Sequence, residues 1–221
     1  MGRKKLERFR QNEENPHVVQ AGKKIFEEIK GQWKSFQFQN DHPLVVELAC
    51  GRGEFTVGLA RQYPEKNFVG VDIKGSRIWK GSSQAFAEGI NNAAFLRTQI
   101  ELLERFFAPG EINELWITFP DPRPREGDER KRLTSPRFLD SYRQLMADGG
   151  HIHFKTDNTG LFNYTHEVLS ASTDIRIIRK TTDFYLSDWK DEHHGIRTRY
   201  EKMFMEKGET IKYIEFCFIQ S

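Results

Sequence analysis

The chain has 221 residues, 37% hydrophobic and 13% aromatic, enough apolar material for one ordinary core, which excludes a disordered chain. Its 34 Lys and Arg against 32 Asp and Glu leave a formal charge of +2, which excludes a uniformly basic coat, so any nucleic-acid face must be local. Cys50 and Cys217 are too few for a disulfide framework, no apolar run reaches the roughly 20 residues of a membrane span, and Met-Gly-Arg-Lys-Lys lacks the apolar stretch of a secretory signal, so the expectation is a cytoplasmic protein.

Residues 1–40 differ from the rest. Arg3, Lys4, Lys5, Arg8 and Arg10 form a basic arm, which reads either as a charged tail or as a contact for phosphates. Val18, Val19, Gly22, Ile25, Phe26, Ile29 and Trp33 then recur at helical spacing, and Asn15-Pro16 predicts the start of that helix.

From Pro43 onward strands and helices alternate. Strands are predicted at 44–48, 67–72, 94–98, 115–119 and 150–156, and two closing strands at 175–181 and 212–219. Helices are predicted at 55–62, at 75–89 with Ile78, Trp79, Ala85 and Phe86 on one face, through Leu102, Leu103 and Phe106, from Ser135-Pro136 to Asp148, and through Leu161 to Leu169. Repeated β–α units imply an α/β fold, a parallel sheet with helices on both faces.

The most informative stretch is Ile117-Thr-Phe-Pro-Asp-Pro-Arg-Pro-Arg125, running on to Arg130-Lys-Arg132. An apolar strand ends in three alternating prolines around Asp121, which predicts a stiff, extended segment. It holds a carboxylate at the carboxyl end of a strand, where open α/β sheets place their ligands. Six basic residues and three acids lie between Arg123 and Arg137, either as a solvated loop or as a phosphate contact.

Glu47-Leu-Ala-Cys-Gly-Arg-Gly53 joins the first of these strands to a helix. Gly51 and Gly53 allow a tight turn and a close approach to a ligand. A dinucleotide fingerprint would have a third glycine where Thr56 stands, and Glu47 suits a cationic group better than a pyrophosphate. Asp72 ends the next strand about 20 residues on, where an acid accepts ribose hydroxyls. Together these favour S-adenosylmethionine over a nicotinamide cofactor. His193-His194 lies near Asp188, Asp191 and Glu192, but without a second histidine pair at ligand spacing no metal is expected.

These motifs, with Lys155-Thr-Asp157 and Thr198-Arg-Tyr-Glu201, fall in the order seen in the bacterial tRNA (guanine-N7-)-methyltransferases, which nearly the whole chain resembles. The glycine loop is common to many methyltransferases, whereas Pro-Asp-Pro-x-Pro followed by Arg-Lys-Arg-Leu-Thr is much more specific. The resemblance implies a Rossmann-like class I methyltransferase fold at residues 41–221, with a mostly parallel, seven-stranded sheet. It implies methylation of a guanine in the tRNA variable loop. It places Glu47, Gly51, Gly53, Asp72, Gln99 and Asp121 at the cofactor, and Asp121 between cofactor and guanine as the catalytic residue. Arg125, Asp157, Thr198, Arg199, Tyr200 and Glu201 would contact the substrate, and Arg130, Lys131 and Arg132 the RNA backbone. The family usually has an acid where this chain has Gln99, Trp where it has Arg123, and Lys where it has Arg125.

Guanine N7 has a free lone pair at neutral pH and needs no general base before it attacks a sulfonium methyl. Ionised Asp121, Asp157 and Glu201 would stabilise the charge that develops and accept from the guanine N1 and N2 protons. Read locally, Asp157 could equally be a helix N-cap, Glu201 a solvated acid, and Tyr185, Trp189 and Tyr200 core aromatics rather than base-stacking platforms. A methyltransferase of another substrate, or a silent RNA-binding module on the same fold, are the alternatives.

Overall fold

Strands buried on both sides read as continuous apolar runs, and Leu44–Leu48 and Asn67–Asp72 are buried at every position. The computed structural model describes residues 3–219, with side chains from residue 6 onward except 192 and 193. Its strands are β1 (Val18–Val19), β2 (Leu44–Leu48), β3 (Asn67–Asp72), β4 (Ala93–Arg97), β5 (Ile112–Thr118), β6 (Met146–Thr156), β7 (Ile175–Thr181) and β8 (Lys212–Phe218). They form one sheet in the order β1-β4-β3-β2-β5-β6-β8-β7. All neighbours are parallel except that β8 runs antiparallel to both β6 and β7.

The sheet has eight strands, not seven. The extra one, β1, comes from the segment whose spacing predicts a helix. Val18 and Val19 pair with Phe95 and Leu96 instead, since a short β-branched run satisfies an exposed sheet edge. The helix predicted there is reduced to α2 (Lys24–Glu28) and a π-turn at Trp33–Phe38. Asn15-Pro16 ends a helix rather than starting one: α1 (Arg3–Glu14) stops just before it. The remaining helices are α3 (Glu54–Gln62), α4 (Gly75–Ala87), α5 (Pro136–Leu145), α6 (Thr159–Ala171) and α7 (Arg199–Glu206). The helix expected through Leu102 is a 3-10 turn at Ile100–Arg105.

Alternate residues of each strand feed two cores. Val46, Val69, Leu96, Leu115, Ile117, Ile152 and Phe154 share one core with Trp33, α5 and α6, while Val45, Phe68, Phe95 and Trp116 share the other with α3 and α4. Phe86, expected on the packed face of α4, is 60% exposed. Trp79 instead meets α1, where its Nε1 donates to Gln11 and Arg8 lies 4.6 Å over its ring. The buried Asn12 side chain donates to the Gly75 carbonyl at 2.8 Å, so α1 is docked on α4. The side chains of Arg3, Lys4 and Lys5 in the basic arm lie outside the described residues.

The chain runs outward through β2, β3 and β4, then returns to place β5 on the other side of β2. The switch point therefore lies between β2 and β5, at the carboxyl ends carrying Glu47 and the segment after Thr118.

Candidate active site

The site is built where the parallel strands end. Glu47, Asp72, Gln99, Asp121 and Asp157 sit in or just beyond β2, β3, β4, β5 and β6, so the topology brings them to one edge of the sheet.

Glu47 is buried beside the switch point, and both its oxygens are engaged. Oε1 accepts from the Thr118 hydroxyl of β5 at 2.7 Å, and Oε2 accepts from the backbone N–H and the hydroxyl of Thr56 on α3. Burial pushes its carboxyl up to about 7, against the opposing pull of these hydrogen bonds. Thr56, standing where a dinucleotide loop would have glycine, thus ties the first turn of α3 to β2. Gly70 makes room for it, since a Cβ there would lie 2.8 Å from the Thr56 hydroxyl.

Gly51 and Gly53 both have positive φ, at 57° and 68°. A Cβ on Gly53 would lie 2.3 Å from the Phe95 ring, so the loop lies tight on the sheet. Ala49 also has a positive φ of 57°, a strained position for a residue with a Cβ. Asp72 fastens the same loop: its Oδ2 accepts from Gly51 N–H at 3.0 Å and its Oδ1 from Lys74 N–H at 2.7 Å. Burial, with Glu47 and Asp72 nearby, pushes the Cys50 thiol well up, which keeps it protonated. Gln99 is exposed after β4.

The proline segment is not simply extended. Phe119 and Arg123, each followed by proline, both have positive φ, at 49° and 46°. Proline discourages right-handed helix in the residue before it, and here the chain takes the left-handed region on both sides of Asp121. Tertiary contacts hold it there. Phe119 N–H donates to the Lys155 carbonyl at 2.9 Å, and Arg132 Nε donates to the Arg123 carbonyl at 3.2 Å. The Asp121 side chain is 64% exposed, with Oδ1 accepting from Arg123 N–H and Oδ2 lying 3.4 Å from Arg123 Nε.

The predicted backbone-binding trio separates. Arg130 is exposed, Lys131 is paired with Asp128 at 2.6 Å, and Arg132 lies 4.3 Å over the Tyr164 ring as an internal clamp. Arg125 is exposed at the head of a 3-10 turn, Glu126–Lys131. Ser135 precedes α5 as expected, but its hydroxyl donates to the Arg130 carbonyl instead of capping the helix. Asp157 is not a cap either: Asn158 accepts from Leu161 N–H and starts α6. Burial raises the Asp157 carboxyl from its ordinary range.

Thr198 to Glu201 forms the first turn of α7. Thr198 is its N-cap, and its Oγ1 accepts from Glu201 N–H. Arg199 N–H donates to Glu54 at 2.7 Å, which joins this turn to the start of α3 and hence to the glycine loop. Ile196 lies against Gly58 of α3, where any Cβ would clash at 2.8 Å. Tyr200 is exposed and stacks on Phe204, which stacks on Phe119. Tyr185 and Trp189 pack against the second core, as the local reading allowed.

Glu201 is not a solvated acid. It is fully buried, and its Oε1 accepts from Lys155 Nζ at 2.6 Å and from the Tyr185 hydroxyl at 2.8 Å. The motif reading missed this pairing: Lys155 stands in a mixed strand, after His151-Ile-His-Phe154 and before Thr156-Asp157, and nothing local marks it as buried. His194 Nδ1 lies 2.7 Å from the Tyr63 hydroxyl, and the side chain of His193 is outside the described residues. Among the described residues no three His, Cys, Asp or Glu side chains could hold a metal ion, and no helix is long and apolar enough to cross a membrane.

Residues 41–214 match the family model described as putative methyltransferase. The tRNA (guanine-N(7)-)-methyltransferase of Cytophaga hutchinsonii is 48% identical over 220 residues, covering 99% of each chain. The chain belongs to the tRNA (guanine-N(7)-)-methyltransferase family. The relative of that name from Bacteroides thetaiotaomicron is 46% identical, covering 98% of this chain and 86% of its own. A solved antibiotic-related methyltransferase is only 18% identical yet superposes with a TM-score of 0.61 over 93% of this chain and 98% of its own. That likeness shows the shared Rossmann-like fold, on which this member of the tRNA (guanine-N(7)-)-methyltransferase family places its carboxylates at the strand ends.

Proposed function

We propose that this chain transfers a methyl group from S-adenosylmethionine to N7 of a guanine in the variable loop of tRNA. The observation that carries the reading is the position of Asp121: it hangs at the switch point, with the glycine loop on one side and the basic turn on the other.

The residues fit the cofactor. The tight glycine loop leaves no room for a Cβ at Gly53, and each Asp72 oxygen accepts a single bond and retains a lone pair for a ribose hydroxyl. Glu47 acts on the cationic methionine end through its charge and by fixing the loop, and Gln99 offers an amide oxygen to the adenine amino group. Bound there, S-adenosylmethionine would supply a sulfonium methyl, which the N7 lone pair would take as the carbon–sulfur electron pair returned to sulfur. No proton leaves N7, so the site needs no general base. Asp121, in a frame strained on both sides, stabilises the positive charge that passes to guanine, with Asp157 and Glu201 behind it. Arg125, Arg130, Lys131 and the Thr198–Tyr200 turn hold the RNA.

The test is to incubate labelled S-adenosylmethionine with unmodified tRNA and map the modified base. Label at one guanine N7 is expected, and the single-turnover rate of Asp121→Ala at saturating tRNA should fall by about 100-fold or more with tRNA affinity retained. Label on another atom, or tRNA binding without transfer, overturns the reading.

A further inference from the structure

Lys155 lies on β6 with 1% of its side chain exposed. Its ammonium nitrogen sits 4.9 Å over the Phe184 ring and 5.9 Å from those of Phe55 and Phe119. Methionine would fill such an aromatic enclosure without the desolvation penalty of a buried charge, and buried ion pairs are commonly no more stabilising than apolar replacements. A lysine here therefore calls for a reason other than packing.

Its carboxylate partner is Glu201, the third residue of α7 after the Thr198 cap. Thr-x-x-Glu is the pattern of a capping box, in which the acid bends back to the N-cap N–H. Only half of that box forms. The Thr198 hydroxyl takes the Glu201 N–H, but the Glu201 side chain turns inward to Lys155 and Tyr185. Both donors use Oε1, and Oε2 is buried with no hydrogen-bond partner among the described residues. A buried, unpartnered carboxylate oxygen is costly unless a ligand supplies a donor. The charged groups facing the ammonium are Glu201, Glu47 on β2, and Arg197 in the loop before α7; burial lowers the Lys155 pKa and the two acids raise it.

We propose that Lys155 is a positioning residue that, with Tyr185, saturates one oxygen of Glu201 and presents the other to the N1–H and 2-amino edge of the target guanine. This rests on the guanine N7-methyltransferase reading above. The same residue holds Phe119, the first residue of the strained segment, through its carbonyl, so the recognition carboxylate and Asp121 are set from one point on β6.

The test compares single-turnover methylation of tRNA carrying guanosine or inosine at the modified position. Inosine keeps N7 and lacks the 2-amino group. Wild type is expected to discriminate against inosine by roughly 10- to 100-fold, the worth of one hydrogen bond to a charged group. In Lys155→Met the guanosine rate falls and the ratio collapses to within about 3-fold, since the lost contact was the one that told the bases apart. Lys155→Arg, which keeps the charge, should recover part of the ratio, and Tyr185→Phe should lie between. A folded Lys155→Met that is slower on both substrates but keeps the wild-type ratio overturns the proposal, as does a wild type that methylates both equally. Should Lys155→Met fail to fold, an unchanged ratio in Tyr185→Phe overturns it. A wild type inactive on guanosine tRNA would instead bring down the functional reading itself.

Discussion

Asp72 shows how one side chain can serve the fold and the ligand together. Its two oxygens pin Gly51 and Lys74 N–H groups, which shapes the loop before any ligand arrives. Replacing it by alanine removes both the anchor and the acceptor for ribose. Asp72→Ala should therefore weaken S-adenosylhomocysteine binding by about 1–3 kcal/mol, measured by calorimetry. Unchanged affinity in a folded variant would remove Asp72 from the site. Glu47 differs from it in kind: Thr56 and Thr118 occupy both its oxygens, so its contribution to a ligand is charge and loop geometry.

The segment from Phe119 to Arg132 behaves as one element although it has little regular structure. Two non-glycine residues with positive φ cost of order 1–3 kcal/mol each, and packing elsewhere offsets them. Arg132 is part of that support, gripping the Arg123 carbonyl while stacked on Tyr164. Among the described residues none pairs with the exposed Arg130 side chain, which leaves it to meet a phosphate. The three neighbouring cations should thus separate in experiment. Arg130→Ala should weaken tRNA binding and flatten the slope of log K against log salt by about 0.7–0.9, the loss of one phosphate contact. Arg132→Ala should leave the slope as it was and lower the single-turnover rate, because it loosens the frame of Asp121. Equal slope changes for both would show that Arg132 is a phosphate contact after all.

Across the whole molecule, the face of the sheet under α3 and α4 buries titratable groups, Glu47, His153 and Lys155 among them. His153 stacks on Trp116 at 4.1 Å and shares a 2.7 Å hydrogen bond with the Tyr213 hydroxyl. Burial pushes its imidazole down to about 3 from an ordinary 6.5, against the pull of Glu114. The folded state therefore holds it neutral while the unfolded chain takes up a proton, and stability is lost as pH falls from about 6.5 toward about 3. Glu47 has the opposite sign: with its carboxyl raised from 4.5 to about 7, stability is lost as pH rises through that window. Comparison with His153→Phe leaves the Glu47 effect in both proteins and isolates the histidine. Between about pH 7 and about pH 4.5, wild type should lose about 2–3 kcal/mol relative to the variant in urea unfolding. Parallel stability curves would show that His153 is not held neutral.

Periodicity and punctuation located β2 through β8, the central β2 to β5 most plainly, because a doubly wound sheet buries such strands on both faces and makes them apolar runs. They also put Glu47, Asp72 and Asp121 at strand ends, since glycine and proline act on the chain locally. Local pattern was a poor guide where a distant surface competes. Val18 and Val19 have helical neighbours but complete the edge beside β4, and Ser135 has the form of a cap but spends its hydroxyl on Arg130. The left-handed turns around Asp121 run against what proline prefers and exist because Lys155 and Arg132 hold them. Above all, Glu201 lies 46 residues from Lys155, and nothing in either motif shows that a buried ion pair joins them. Such a pairing depends on which side chains the finished sheet and α7 enclose together, and long-range burial is not written in local spacing.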